Sequence, residues 1–462
     1  MRVAIVGGGL AGLACAAELT EAGLDVVVLE KRPVLGGKVS SWKDAQGDPI
    51  ESGLHVFFGC YKQLLPFLKR VDAYKNIGWK EHTILVARPG GKTARLHFPN
   101  IPAPFSGIYA FSWNDLFNWR EKLLNIGGLF VLYIRGLDYI KKLDQYSYAR
   151  WHRKQRMSQS VLDKLWNSIA LSLGFIGAED MSARPMTTVF HYFARSTKAS
   201  QVGFLDGAPE EKLFEPIRRF IEARGGAFRL NARAQKICLD ASGERVTGIQ
   251  LTDGSLIEAD AYVLATPLHS TRQLLPAELR RFPTFDNLWK LKSVPVMNVQ
   301  IWYDRKVCQT DNLFFTSDAC FSVFADMSLT SPQAYGNHNG SMVEMVVAPA
   351  APLWKLSDEE IIERCHQDLA TLWPEVNGAQ RLKGTVVRIP NSIYREVPDS
   401  DRHRPGQQTP VANLFLAGCY TYQDYMASME GAVQSGLAAA RTLMQTGIKA
   451  PAVTALATGK EG

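Results

Sequence analysis

The chain opens with two short, almost wholly apolar runs, RVAIV (2–6) and DVVVLE (25–30), separated by the small-residue stretch LAGLACAAELTEAG (10–23). Runs of this length, rich in valine and isoleucine and without polar alternation, predict strands covered on both faces. The stretch between them predicts a helix with its small residues on the inner face, ended by Gly23. With GGGLAG (7–12) as the turn, residues 2–30 form a βαβ unit, the minimal piece of a parallel sheet.

The pattern then changes several times. Polar positions alternate with aromatics through LHVFFGCY (54–61), and a proline-rich passage, HFPNIPAPFSG (97–107), leads into aromatic amphipathic stretches over 109–143. Helical periodicity continues through 147–196. Residues 215–239 predict helix, turn and strand, and 244–267 a hairpin-like meander ending in the buried strand YVLAT. Two further strands, VPVMNVQIWYD and SMVEMVVAP, and one amphipathic helix (357–373) fall within 286–384. The apolar strand NLFLAG (413–418) precedes a last helix that opens near Ser428, and the tail over 447–462 is expected to be loose. The segments divide at 1–96, 97–214, 215–285, 286–384 and 385–446, an α/β organisation in which the first, third and fifth share one character.

Composition narrows the function class. A length of 462 residues with 46% hydrophobic and 21% charged residues suits two interleaved globular domains. The net charge of +7 comes without a long Lys/Arg run, which argues against nucleic acid as partner. Seven cysteines (Cys15, Cys60, Cys238, Cys308, Cys320, Cys365 and Cys419) are scattered without C-x-x-C, as reduced thiols in a cytosolic setting would be, and the nine histidines form no metal-ligand pattern. No signal peptide is expected before the strand that begins at Arg2. The longest apolar run, LLNIGGLFVLYI (123–134), is about half of the roughly 20 residues that span a bilayer, so the chain is expected to lie on a membrane and not to cross it. Aromatic residues over 105–134, flanked by Arg120, Lys122, Arg135, Lys141, Lys142 and basic residues over 150–156, suit the headgroup boundary. A helix pair covering an internal tunnel would look the same.

Gly7, Gly9 and Gly12 form G-x-G-x-x-G directly after a strand and at the mouth of a helix, with Ala11 inside the motif. Such a turn brings backbone close to a pyrophosphate, and the helix N-terminus offers it free N–H groups. Glu30 ends the second strand, where an acid accepts hydrogen bonds from ribose hydroxyls. FAD and NAD both remain open on the motif alone. Lys31, the second glycine turn Gly36-Gly37 and Lys38 follow closely, and a distant segment, LAGCYTYQDYMASMEGAVQSG (416–436), carries Gly418, Cys419 and Met429 into a second helix N-terminus. One cofactor held by both ends of the chain is the expected arrangement.

These segments resemble FAD enzymes of the amine oxidase and carotene desaturase superfamily. LEKRPVLGGKVSSW, ESGLHVFFGCY, IPAPFSG, LWNSIALSLGFI, SARPMTTVFHYFA, GFLDGAPEEKL and AGCYTYQDYMASMEGAVQSG together are similar to the plant and cyanobacterial type of carotene desaturase. HVFFGCY, KEHT and FARSTKAS lie closer to ζ-carotene desaturase, and GFLDG and YMASMEGAV to phytoene desaturase, with ζ-carotene favoured. The resemblance implies a Rossmann-like FAD-binding domain built from 1–96, 215–285 and 385–446, an inserted α+β substrate-binding domain (286–384) and a helical membrane-associating region (97–214). It implies hydride transfer from a C40 carotene to flavin, reoxidation by a membrane quinone resembling plastoquinone, and a peripheral place on the cytoplasmic side of a thylakoid or plasma membrane. It assigns cofactor contacts to His55, Val56 and Tyr61 beside those above, and has NARAQKI (231–237) meet the adenine. Many relatives carry Gly-Asp where this chain has Gly418-Cys419, so contact there is expected from backbone. Phe57, Phe58, Phe190, Tyr192 and Phe193 are the expected polyene contacts, each equally readable as aromatic core. His55 is the one candidate for acid–base work, against a channel-lining or core histidine, and Arg184 is expected to pair with a surface acid. A carotene isomerase, an amine-oxidising enzyme of the same fold and a non-catalytic carotenoid carrier are the competing readings.

Overall fold

The computed structural model describes residues 1–336 and 339–447; the expected loose tail lies outside the described residues from 448 onward. A five-stranded parallel sheet forms the centre, in the order Ala227–Arg229, Asp25–Leu29, Arg2–Val6, Ala261–Leu264, Leu414–Leu416. Strands from three distant parts of the chain thus meet edge to edge. Val3 to Ile5, Val26, Val28 and Tyr262 to Leu264 are fully buried, which is why each run reads as continuously apolar.

The helix Leu10–Glu21 packs against this sheet and against the last helix, Met429–Gln445. Their approach is close because the contact is made by small residues: a Cβ on Gly436 would overlap the carbonyl oxygen of Ala11. The two ends of the chain are therefore one layer.

A mixed seven-stranded sheet stands beside the first, in the order Arg381–Tyr394, Ser293–Tyr303, Met342–Val347, Val323–Asp326, Phe314–Phe315, Thr83–Arg88, Lys92–His97. The helix Asp358–Leu372 covers one face, closing a second core around Val299, Phe324, Met345, Cys365 and Leu369. Residues 83–97 pair into this sheet, and so does the long strand that runs to Tyr394, so the inserted layer begins earlier and ends later than the segment limits drawn from sequence. Both stretches are short or half-exposed, and nothing local reveals which sheet will claim them.

The helices Phe105–Ser112, Trp119–Lys141, Tyr148–Lys154 and Ala183–Phe193 make up the third region. Trp119–Lys141 has 23 residues, opened by a capping box of Asn118 and Glu121 and broken near its end at Gly136 (φ 67°, ψ −165°). By length and composition alone the stretch Trp119–Gln145 is long and apolar enough to cross a membrane, longer than its uninterrupted apolar run of 123–134.

Candidate cofactor and substrate cavity

A cavity of about 920 Å³ lies where the carboxyl ends of the parallel strands meet the seven-stranded sheet. Two helix N-termini point into it. The first follows Gly9, has no acidic residue in its first turn, and begins after the turn at Gly7 (φ 116°), where a Cβ would stand 2.6 Å from the Ala265 carbonyl oxygen. The second starts at Met429 behind Ser428, whose hydroxyl accepts from the Gly431 N–H at 3.2 Å. Its own acid, Glu430, is turned away and accepts from the backbone N–H groups of Lys62, Gln63 and Leu64, so that the dipole of the last helix stays free for an anion. That contact also ties the HVFFGCY segment to the last helix.

Gly7, Gly9, Ala11, Glu30, Lys31, Gly37 and Lys38 all line this cavity, as do His55, Val56, Tyr61, Gly418, Cys419 and Met429. Gly12 does not: it faces the strand, and a Cβ there would overlap the Gly7 carbonyl oxygen, so its part is close helix–strand packing. Glu30 is 5% exposed, with Oε2 accepting from the Gly8 N–H at 2.8 Å and Oε1 from the Arg32 N–H at 3.0 Å. Ala232, Arg233, Ala234 and Gln235 form a further wall. Burial pushes the Cys419 thiol up, so it stands as a neutral group near Lys38, whose own pKa burial lowers.

A second chamber of about 140 Å³ adjoins the first, and Phe58, Leu173 and Phe315 stand in the walls of both. Phe190 and Phe193 line it, three positions apart on one face of their helix. Two expectations fail here. Phe57 points to the opposite side of its strand from Val56 and Phe58 and is core, 1% exposed. Tyr192 lies off the helix face of Phe190 and Phe193, under the Lys62 ammonium and against Tyr425. Leu173, Phe315, Val346 and Ile389 are wall residues without a local signature: sheet pairing brings the last three there, and packing of the helix Asn167–Gly174 brings Leu173. Arg184 pairs with Asp401, an acid only 19% exposed and therefore not a surface group.

Pro104, Ile108, Phe130 and Tyr133 close the second chamber on its outer side. Phe130 is itself 43% exposed, so it stands at the mouth. Around it, Phe105, Tyr109, Trp113, Trp119, Leu123 and Ile134 are exposed, all from the helices Phe105–Ser112 and Trp119–Lys141 and their join.

The family described as flavin containing amine oxidoreductase matches residues 10–444. The chain belongs to it, among its carotene desaturases. It is 42% identical over 455 residues to 15-cis-phytoene desaturase of Synechococcus elongatus, covering 96% of both chains. It is 40% identical over 475 residues to zeta-carotene desaturase of Synechocystis sp., covering 96% of this chain and 97% of the relative. Among solved structures, an oxidoreductase from Methanosarcina mazei matches with a TM-score of 0.73 at 17% identity, covering 96% of this chain and all of the other, a likeness of fold. FAD is the cofactor of this oxidoreductase. The cavity fits it: two unencumbered helix N-termini, a glycine cradle that a Cβ would fill, and a buried carboxylate at the ribose end of the fingerprint.

Proposed function

We propose that this family member is a membrane-seated desaturase that converts ζ-carotene through neurosporene to lycopene and passes the electrons to a membrane quinone. The observation that carries this reading is the pair of adjoining chambers, the outer one apolar and bordered by Phe130 at the exposed aromatic face, the inner one the cofactor cavity, with Phe58, Leu173 and Phe315 lining both; we infer that a route runs between them. A C40 hydrocarbon and a lipid-soluble quinone can use such a route; an amine gains little from it.

Bound FAD would supply the hydride acceptor for an allylic C–H of the polyene. The protein's residues hold the chain in register and keep water away. His191 on the chamber wall is kept neutral by burial, and both ring nitrogens of His55 are turned into the protein, toward Lys38 and Glu51, so neither histidine aims a base at the polyene. Proton loss from the carbon beside the one that gave hydride is then driven by extension of the conjugated system.

The helix Trp119–Lys141 rests along the body of the protein through Asn125, Gly128, Leu132 and Ile140. A helix docked lengthwise by one face supports sideways insertion into one leaflet over a crossing.

Similarity of HVFFGCY, KEHT and FARSTKAS supports ζ-carotene, while the 42% identity to a phytoene desaturase keeps phytoene as the second reading. Purified protein in liposomes with a quinone should convert ζ-carotene to lycopene in preference to forming ζ-carotene from phytoene. Preferential turnover of phytoene would reverse the choice, a change of cis/trans geometry alone would mean an isomerase, and no turnover of either carotene would remove the reading.

A further inference from the structure

The helix Asp358–Leu372, which covers one face of the seven-stranded sheet, meets a bend that joins two of that sheet's strands, Phe314–Phe315 and Val323–Asp326. Among the described residues one pair of cysteine sulfurs is in contact, and it lies at this junction. Cys320 Sγ, in the bend, stands 3.7 Å from Cys365 Sγ, on the helix, although the two are 45 residues apart in sequence. Neither residue lines the cofactor cavity, and the proposed reaction uses neither.

A second contact holds the two elements in place. The Cys320 N–H donates to Asp368 Oδ2 at 2.7 Å, and Asp368 lies on the helix face of Cys365, so one helical turn grips the bend by backbone and by sulfur. Arg364 Nε donates to the same Asp368 oxygen at 3.3 Å. A disulfide needs its sulfurs at about 2.05 Å. Ser317 and Asp318 in the bend are exposed, so side-chain rotation with a small shift of the bend can close the gap. The two thiols differ in access: Cys320 is half-buried, and Cys365 is fully buried. Contact with Cys320, and then burial, holds the Cys365 thiol well above its ordinary value, so an oxidant from solvent meets Cys320 first.

We infer that Cys320 and Cys365 form an oxidative modification site, a thiol pair that a hydroperoxide closes into a disulfide, stapling the bend to the helix. In the first step Cys320 loses its S–H proton and the peroxide O–O bond breaks. One oxygen stays on the sulfur as a sulfenic acid, and the other leaves as water. Cys365 Sγ then attacks Cys320 Sγ, the S–O bond breaks, and the hydroxyl leaves with the Cys365 proton as a second water. The two thiols give up two electrons, and the peroxide takes them. The staple bears on the cavity because Phe315 and Val323, on either side of the bend, are wall residues. Ser322 also receives the Ser172 hydroxyl at 3.3 Å, beside Leu173 on the wall shared by both chambers.

The test needs neither carotene nor quinone and so stands apart from the substrate reading. Purified holoprotein is treated with hydrogen peroxide, its remaining thiols are blocked, and its tryptic peptides are weighed without reductant. The expected product joins residues 307–355 to 365–381, lighter by two hydrogens than the separate peptides, and dithiothreitol should part them again. Because 307–355 also holds Cys308, Cys308→Ser should keep the link while Cys320→Ser abolishes it. Cys365→Ser, which removes the resolving thiol, should leave a sulfenic acid at Cys320 that dimedone traps. The disulfide should raise the melting temperature by a few degrees, reversibly with dithiothreitol, with no such rise in Cys320→Ser. Absence of the linked peptides, a link that survives Cys320→Ser, or a link that leaves the melting temperature unmoved overturns the inference.

Discussion

Glu30 shows how much a single position can carry. Its two oxygens hold the N–H groups of Gly8 and Arg32, which shapes the fingerprint turn, yet a carboxylate has about four acceptor sites and two remain for ribose hydroxyls on the cavity side. Removing it takes away a charge-assisted contact of about 1.5–3 kcal/mol. Glu30→Ala should raise the FAD dissociation constant by about 10- to 100-fold, read by flavin titration of the apoprotein, with the circular dichroism spectrum kept. An unchanged constant would remove Glu30 from the cofactor site. Phe57 and Phe58 make the complementary point: adjacent, chemically identical side chains fall to core and cavity by strand alternation alone.

At the scale of elements, the helices Phe105–Ser112 and Trp119–Lys141 carry the membrane proposal. Their buried positions, among them Ala110, Phe111, Leu132 and Ile140, hold them to the body, while Trp113, Leu123 and Ile134 are 71%, 63% and 69% exposed. So much exposed apolar area in one place marks a binding surface. Full burial of each such side chain is worth about 1.5–3 kcal/mol, so losing three should weaken liposome binding by at least about 10²-fold. The triple variant Trp113→Ser, Leu123→Ser, Ile134→Ser should stay in the supernatant on co-sedimentation and keep its flavin, since none of the three is in the core. Unaltered sedimentation would place the membrane contact elsewhere.

Glu396 links regions across the whole molecule. Its carbonyl accepts from the N–H of Ser182, at the start of the helix that lines the second chamber, and its Oε1 accepts from the Tyr394 hydroxyl and the Ala427 N–H beside the last helix. Burial, only partly offset by the Arg404 guanidinium, pushes its pKa up to about 7 from 4.5. A raised carboxyl pKa means that the native state binds the proton more tightly than the unfolded chain. Its stabilising contribution is thus complete below about pH 4.5 and lost as pH rises through about 7. The difference is about 3 kcal/mol. At ~2.1 cal/mol/K per residue, that is a melting shift of about 3 °C for a chain of this length. Between pH 5 and 8 the native protein should lose about that much more melting temperature than Glu396→Gln, whose amide does not titrate. Parallel pH profiles would mean that Glu396 is charged in the native state.

Local covalent pattern settles what neighbouring residues alone can settle. The strand–turn–helix–strand over 2–30 needs only apolar runs and glycines where backbone must pass closely, and these are legible within a few neighbours. Gly7, Gly9, Glu30, Gly37, Gly418 and Met429 were nameable because the helix N-terminus and the phosphate-type turn are local devices, repeated at each end of the chain. Tertiary structure decided everything that depends on which distant surfaces meet. It joined the two ends through the contact of Gly436 with Ala11, took residues 83–97 into the second sheet, and chose Leu173 and Phe315 over Phe57 and Tyr192 as cavity wall. It also set Glu51 beside His55 and, through the Asn298 amide, next to Glu344, nearly three hundred residues away. Side-chain chemistry is written residue by residue, but proximity and dielectric are properties of the packed whole.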